Sequence, residues 1–112
     1  MATQQVPGLT RTDLQQEDLS IPGREMIQNR VEISPDAPAI RHWHPGEEII
    51  YVLEGTLEYE IDGEEPMTIS AGEALTVPAE RVHSVRNVGD GNAAELATYI
   101  VEKGKPLLNL PD

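Results

Sequence analysis

Apolar and polar residues alternate with a period of two through most of this chain, which is the signature of half-buried strands rather than helices. Ile27, Asn29, Val31 and Ile33 share one parity, with Met26, Gln28, Arg30 and Glu32 on the other. The cleanest run sets Leu57, Tyr59 and Ile61 against Glu58, Glu60 and Asp62, and Asp62-Gly63 behind it is a strong hairpin signal. Met67 and Ile69 supply the return strand. Further short strands are predicted over 39–44, Ile49–Leu53, Ala74–Val77, Val82–Val88 and Glu95–Glu102, separated by Pro35-Asp36-Ala37-Pro38, Glu54-Gly55, Ala71-Gly72, Pro78 and Gly89-Asp90-Gly91-Asn92. Many short strands, turn signals every ~8–12 residues and almost no helical pattern predict an all-β sandwich or barrel.

Residues 1–20 break the pattern, being polar with isolated Leu9, Leu14 and Leu19. Thr12 followed by Gln15 can cap a short helix, but too few apolar residues follow to pack one. The expectation is a loose N-terminal arm over 1–20, ordered if at all against a partner subunit, followed by one β-barrel domain over 21–112. Leu107, Leu108 and Leu110 form an apolar tail able to pack on its own domain or on a second copy.

Composition narrows the partners. The 112 residues carry 20 acidic against 8 basic side chains, a formal charge of −12. So acidic a surface repels phosphate backbones, which argues against nucleic acid and anionic membranes. No apolar run is long enough to cross a bilayer, and the first residues lack the basic start and apolar stretch of a signal peptide. There is no cysteine, hence no disulfide framework and no thiol nucleophile. These features together lead to the expectation of a cytoplasmic protein acting on small molecules, with a homodimer formed through the arm or an apolar sheet face.

The chemistry concentrates in two stretches. All three histidines lie in Arg41-His42-Trp43-His44-Pro45-Gly46-Glu47-Glu48 and Pro78-Ala79-Glu80-Arg81-Val82-His83. In an extended segment His42 and His44 leave the same face, while Arg41 and Trp43 leave the other. Pro45-Gly46 turns the chain, so that Glu48 can return a carboxylate to the same space. Imidazole nitrogens with one carboxylate oxygen suit a borderline first-row metal ion. A His-x-His pair alone also fits a surface cluster; the surrounding glycines and prolines favour a metal site of His42, His44, Glu48 and His83.

With those residues set out, the chain resembles the cupin superfamily. In the family's first motif a glycine is followed by His-x-His, a glutamate and a second glycine; His42-Trp43-His44, Glu48 after three intervening residues and Gly55 after six more match it. In the second, a glycine precedes Pro-x-Gly, a histidine and an asparagine; Gly72, Pro78, His83 and Asn87 fall in place. Asp36 stands where the opening glycine would be, and Glu80 where the glycine of Pro-x-Gly would be. Both are turn positions, so the ligand set is complete. The resemblance implies a double-stranded β-helix, or jelly-roll barrel, with a divalent Mn, Fe, Ni, Co or Zn ion. It leaves the reaction open, because this fold hosts oxygenases, isomerases, lyases and non-catalytic binders.

Four protein ligands on an octahedral ion leave two adjacent positions for water, dioxygen or a chelating substrate. A metal-dependent enzyme acting on a small oxygenated organic molecule, dioxygenase-like or otherwise, is therefore expected; the alternative is a non-catalytic small-ligand or metal-binding module. Tyr51, Tyr59 and Tyr99 can each offer a hydroxyl to substrate or serve as barrel core. Asn87 reads as a backbone-bonding turn residue, Trp43 as packing, Arg81 as rim, and Gln28 and Arg30 as solvated surface.

Overall fold

The computed structural model describes residues 2–112, with side chains from residue 5 onward. It contains strands β1 (Ala2–Val6), β2 (Leu9–Asp18), β3 (Arg24–Ile33), β4 (Gly46–Glu54), β5 (Thr56–Ile61), β6 (Met67–Ser70), β7 (Ala74–Val77), β8 (His83–Asn87) and β9 (Ala93–Glu102). Antiparallel pairing arranges them as a six-stranded sheet in the order β1-β2-β3-β9-β4-β7 and a three-stranded sheet in the order β6-β5-β8. The result is an all-β jelly roll, as the alternating pattern and the resemblance both imply.

Period-two patterning sets which side chains face inward. Along β4, Ile50 and Val52 are buried while Ile49, Tyr51 and Leu53 face out. Leu57, Tyr59 and Ile61 of β5 meet Val31, Ile33, Ala97, Tyr99 and Val101 of the larger sheet in one core. The turn between β4 and β5 needs Gly55. Its φ is 79°, and a Cβ there would lie 2.8 Å from the Ala93 side chain, so a side chain would meet both strain and a clash.

The N-terminal segment differs from the expectation. Instead of a loose arm or a capped helix, residues 2–18 form β1 and β2, with β2 paired to β3 from Leu9↔Ile33 to Asp18↔Glu25. Residue 1 lies outside the described residues. The isolated leucines mislead because β2 lies near the sheet margin: its backbone bonds to β3 while most of its side chains stay in solvent, so the strand needs little apolar content. The C-terminal tail folds back on its own domain. Leu107 packs against the core, and the backbones of Trp43 and Asn109 exchange hydrogen bonds of 2.9 and 3.0 Å.

One backbone position connects the fold to the departure at Glu80. It is the sole non-glycine with positive φ among the described residues, at 61°, in the turn whose amide donates to the His44 carbonyl at 3.0 Å. A left-handed conformation disfavours a residue bearing Cβ by roughly 1–2 kcal/mol. Glu80→Gly removes that strain but loosens the unfolded chain, so a net gain of about 0.5–1 kcal/mol is expected in chemical denaturation. A loss of stability would contradict this reading.

Candidate metal centre

His42 follows an irregular stretch and is tied to β8 by reciprocal backbone bonds, His42 N to His83 O at 3.0 Å and His83 N to His42 O at 2.9 Å. That bridge brings the two motifs together. His44 lies two residues on, and Glu48 projects inward from β4, whose alternation puts it on the Ile50 and Val52 face. The ligand-capable nitrogens of His42, His44 and His83 lie within 4.8 Å of one another, so the three imidazoles can together hold a metal ion. Glu48 Oε1 lies 3.2 Å from Nε2 of both His44 and His83.

The other ring nitrogen of each histidine is held by a backbone carbonyl. Nδ1 of His42 meets Ile40 O at 2.7 Å, Nδ1 of His44 meets Leu107 O at 2.7 Å, and Nδ1 of His83 meets Arg81 O at 2.9 Å. A carbonyl only accepts, so each Nδ1 donates and each Nε2 is turned inward, that of His83 to within 3.2 Å of Glu48 Oε1. This is the arrangement that orients imidazoles for a metal. It leaves His44 Nε2 buried with no hydrogen-bond partner despite the nearby carboxylate: a lone pair facing a carboxylate oxygen lacks a proton or cation between them. The donor set thus fits a first-row divalent ion.

Electrostatics agree with that geometry. Burial holds the His42 imidazole down at about 4, with the Ile40 carbonyl opposing. Burial alone would raise the Glu48 carboxyl, but a proton on Nε2 of His44 or His83, in the place an ion would take, opposes it through hydrogen bonding and charge and holds Glu48 at about 2. In the same interior Glu95 moves the other way. Burial and then the Glu48 charge raise its carboxyl to about 8, against the pull of the Tyr59 hydrogen bond.

These shifts set the pH dependence of the metal-free protein. Folded His42 takes up its proton near 4 rather than 6.5, so stability is lost as pH falls from 6.5 to 4. Depressed Glu48 likewise loses its contribution between 4.5 and 2. Raised Glu95 contributes fully below 4.5, and that contribution disappears as pH rises to about 8. The two opposed slopes overlap, so a stability plateau is expected from about 4.5 to 6.5, falling away on both sides. Calorimetry after chelation checks this; a melting temperature that climbs steadily to pH 8 would contradict it.

The cavity these residues line measures about 180 Å³. Apolar walls come from Val31, Ile33, Val85 and Leu108, and polar groups from the histidine cluster, Tyr59, Glu95, Tyr99 and Arg11. Of the three tyrosines, Tyr59 and Tyr99 face the cavity and Tyr51 is 45% exposed on the outer face. The Tyr99 ring meets the His44 ring edge-on at a centroid distance of 4.7 Å. Asn87 has the structural role expected of it, with Nδ2 donating to Ile33 O and Gly91 O at 2.8 Å each. Arg81 is not among the lining residues of the cavity and donates to Asp62 O at 3.1 Å. Arg30 pairs with Glu32 at 2.9 Å on the outer face.

Sequence reasoning missed Glu95 and Arg11. A signal for Glu95 exists, since it shares inward parity with Ala97, Tyr99 and Val101 in β9, and an acid on the buried face of a strand is unusual. Arg11 lies in the segment expected to be loose, which concealed it.

Fold and histidine cluster define a small jelly-roll protein with a metal-capable pocket. Comparison with known families makes this specific: the chain belongs to the cupin family, whose domain model matches residues 29–105. It is 45% identical over 53 residues to "Polyketide synthase CurC" of Streptomyces cyaneus, covering 46% of this chain and 34% of that protein. It is 34% identical over 62 residues to "Protein SchB" of Streptomyces halstedii, covering 54% and 44%. The chain thus spans less than half the length of these curated relatives. Among solved structures it resembles the polyketide cyclase RemF from Streptomyces resistomycificus, with a TM-score of 0.68, 24% identity and coverage of 94% of this chain and 72% of that one.

Proposed function

We propose that this chain is a metal-dependent cupin enzyme whose ion is held by His42, His44, Glu48 and His83, and whose substrate is a small carbonyl-rich molecule of the polyketide kind. The observation that carries the reading is the set of inward-pointing nitrogens around Glu48, with His44 Nε2 left without a partner. A bound Mn, Fe, Ni, Co or Zn ion would polarise a carbonyl of the substrate and leave positions free for a second oxygen. The mostly apolar cavity excludes water and suits an aromatic or polyketone skeleton. Arg11, the only lysine or arginine among the described residues of its lining, offers a cation for an enolate, phenolate or carboxylate. The names of one relative, a polyketide synthase, and one structural neighbour, a polyketide cyclase, favour enolate chemistry, with dioxygenase, isomerase and lyase reactions as its outcomes. A cytoplasmic setting fits the absence of cysteine. A homodimer fits the exposed row of Ile49, Tyr51 and Leu53.

Elemental analysis of protein purified without chelator, followed by incubation with β-diketones under air and under nitrogen, tests the reading. About one ion per chain and turnover of a β-diketone are expected; dependence on air selects dioxygenase chemistry. No ion under any loading condition would overturn the metal site, and an ion without turnover would leave a non-catalytic binding module.

A further inference from the structure

Glu95 is the buried ionisable group that the metal site does not use. It is 3% exposed, on β9, level with Val31 and Val52 in the paired strands. Glu48 pairs with Tyr99 in the same register, so Glu95 lies four residues further along β9, in the lining of the same cavity. The groups acting on its carboxyl are Glu48 and Tyr59; Arg11, the cation of the cavity lining, stands in the same row two strands away and pairs with Asp13, not with Glu95, among the described residues. A buried acid without a cation lowers stability by several kcal/mol unless it stays protonated and hydrogen-bonded, and an apolar residue would fill the site at less cost. Tyr59, itself 1% exposed, donates its hydroxyl to Glu95 Oε1. That bond requires Oε1 to accept, so the acid proton belongs on Oε2 of a residue that lines the cavity.

We propose that Glu95, positioned by Tyr59, is the proton donor of this cavity and acts on an enolate or alkoxide oxygen of the bound substrate. The proposal rests on the reading of the site as an enzyme for carbonyl compounds. In the step, the Glu95 O–H bond breaks and an O–H bond forms on the substrate oxygen. The negative charge passes to the Glu95 carboxylate, which the Tyr59 hydroxyl stabilises through the bond already in place. Solvent returns the proton after product leaves. Burial, the main cause of its raised proton affinity, favours the acid form. Its separation from the histidine cluster along β9 selects substrates with an oxygen function several bonds from the one that meets that cluster, which favours extended β-polyketones over small dicarboxylates.

The test uses the metal-loaded protein and 1,3-diphenylpropane-1,3-dione, an extended β-diketone, with solvent deuterium exchange at its central carbon followed by NMR. Wild-type protein is expected to accelerate exchange over buffer, and Glu95→Gln to slow it on the order of 100-fold, with metal content unchanged and diketone affinity within about twofold by calorimetry. Glu95→Asp should recover part of the rate, and Tyr59→Phe should move the pH profile by altering Glu95. Infrared difference spectra should show a protonated carboxyl band at neutral pH that Glu95→Gln removes. Exchange unaffected in Glu95→Gln, no acceleration by wild type, or no protonated carboxyl band would each overturn the proposal. Metal content, read separately, shows whether the metal site stands when the proton donor fails.

Discussion

His44→Ala protein is expected to lose more than about 100-fold in metal affinity while keeping its β-sheet circular dichroism. Losing an orienting partner alone typically weakens a metal site ~10–100-fold, and this substitution removes a ligand outright. His44 is 4% exposed, with Nδ1 fixed by Leu107 O at 2.7 Å and Nε2 placed 3.2 Å from Glu48 Oε1. Nothing nearby can replace that nitrogen. The fold survives because its cohesion lies elsewhere, in the strand ladders and the core of Ile33, Ile50, Val52, Leu57 and Val101. The local losses are the edge-on contact with the Tyr99 ring and the partner of the Leu107 carbonyl, so the tail should become more open to proteolysis. Metal titration with the parent and the variant decides the matter. Full metal retention by the variant would remove His44 from the ligand set, and global unfolding would make the residue structural.

Much of this site is legible before any coordinates, and the reason is geometric. Period-two alternation gives the direction of each side chain along β3, β4 and β5, so the inward Glu48 follows from parity, while the expectation of Tyr51 as a substrate or core contact fails on the same parity, which puts it outside. The two glycine-bounded motifs then bring His83 to His42, a meeting realised by the reciprocal backbone bonds between those residues. The illegible parts depend on partners distant in sequence. That Leu107 O orients His44 cannot be read from either residue, because 63 positions separate them. Arg11 reaches the cavity only because β2 pairs with β3, and a marginal strand held by backbone bonds leaves little hydrophobic trace. Glu80 is an intermediate case: its place in the motif marks a glycine position, and the left-handed backbone there retains the glycine geometry with another side chain.

Gly46→Ala is expected to be the most damaging single-methyl change near the site, destabilising the protein by at least about 3 kcal/mol. Gly46 opens β4 between His44 and Glu48 and pairs with Val101. An added Cβ would lie 1.9 Å from Ile100 O and 2.7 Å from Val101 Cα. Both obstacles are backbone of β9, so no side-chain rotation relieves them, and the two strands must move apart. Their separation would also strain the adjacent bond from Glu102 N to Pro45 O, at 3.1 Å. Because β4 carries Glu48, displacement at its first residue moves the carboxylate away from His44 and His83, and metal affinity should fall together with stability. Gly91→Ala serves as the control, since a Cβ there meets nothing within 4 Å and should change stability by no more than about 0.5 kcal/mol. Urea denaturation and metal titration of both variants separate the effects. If Gly46→Ala matched Gly91→Ala in both measurements, the close approach of β4 to β9 would not be what sets the position of Glu48.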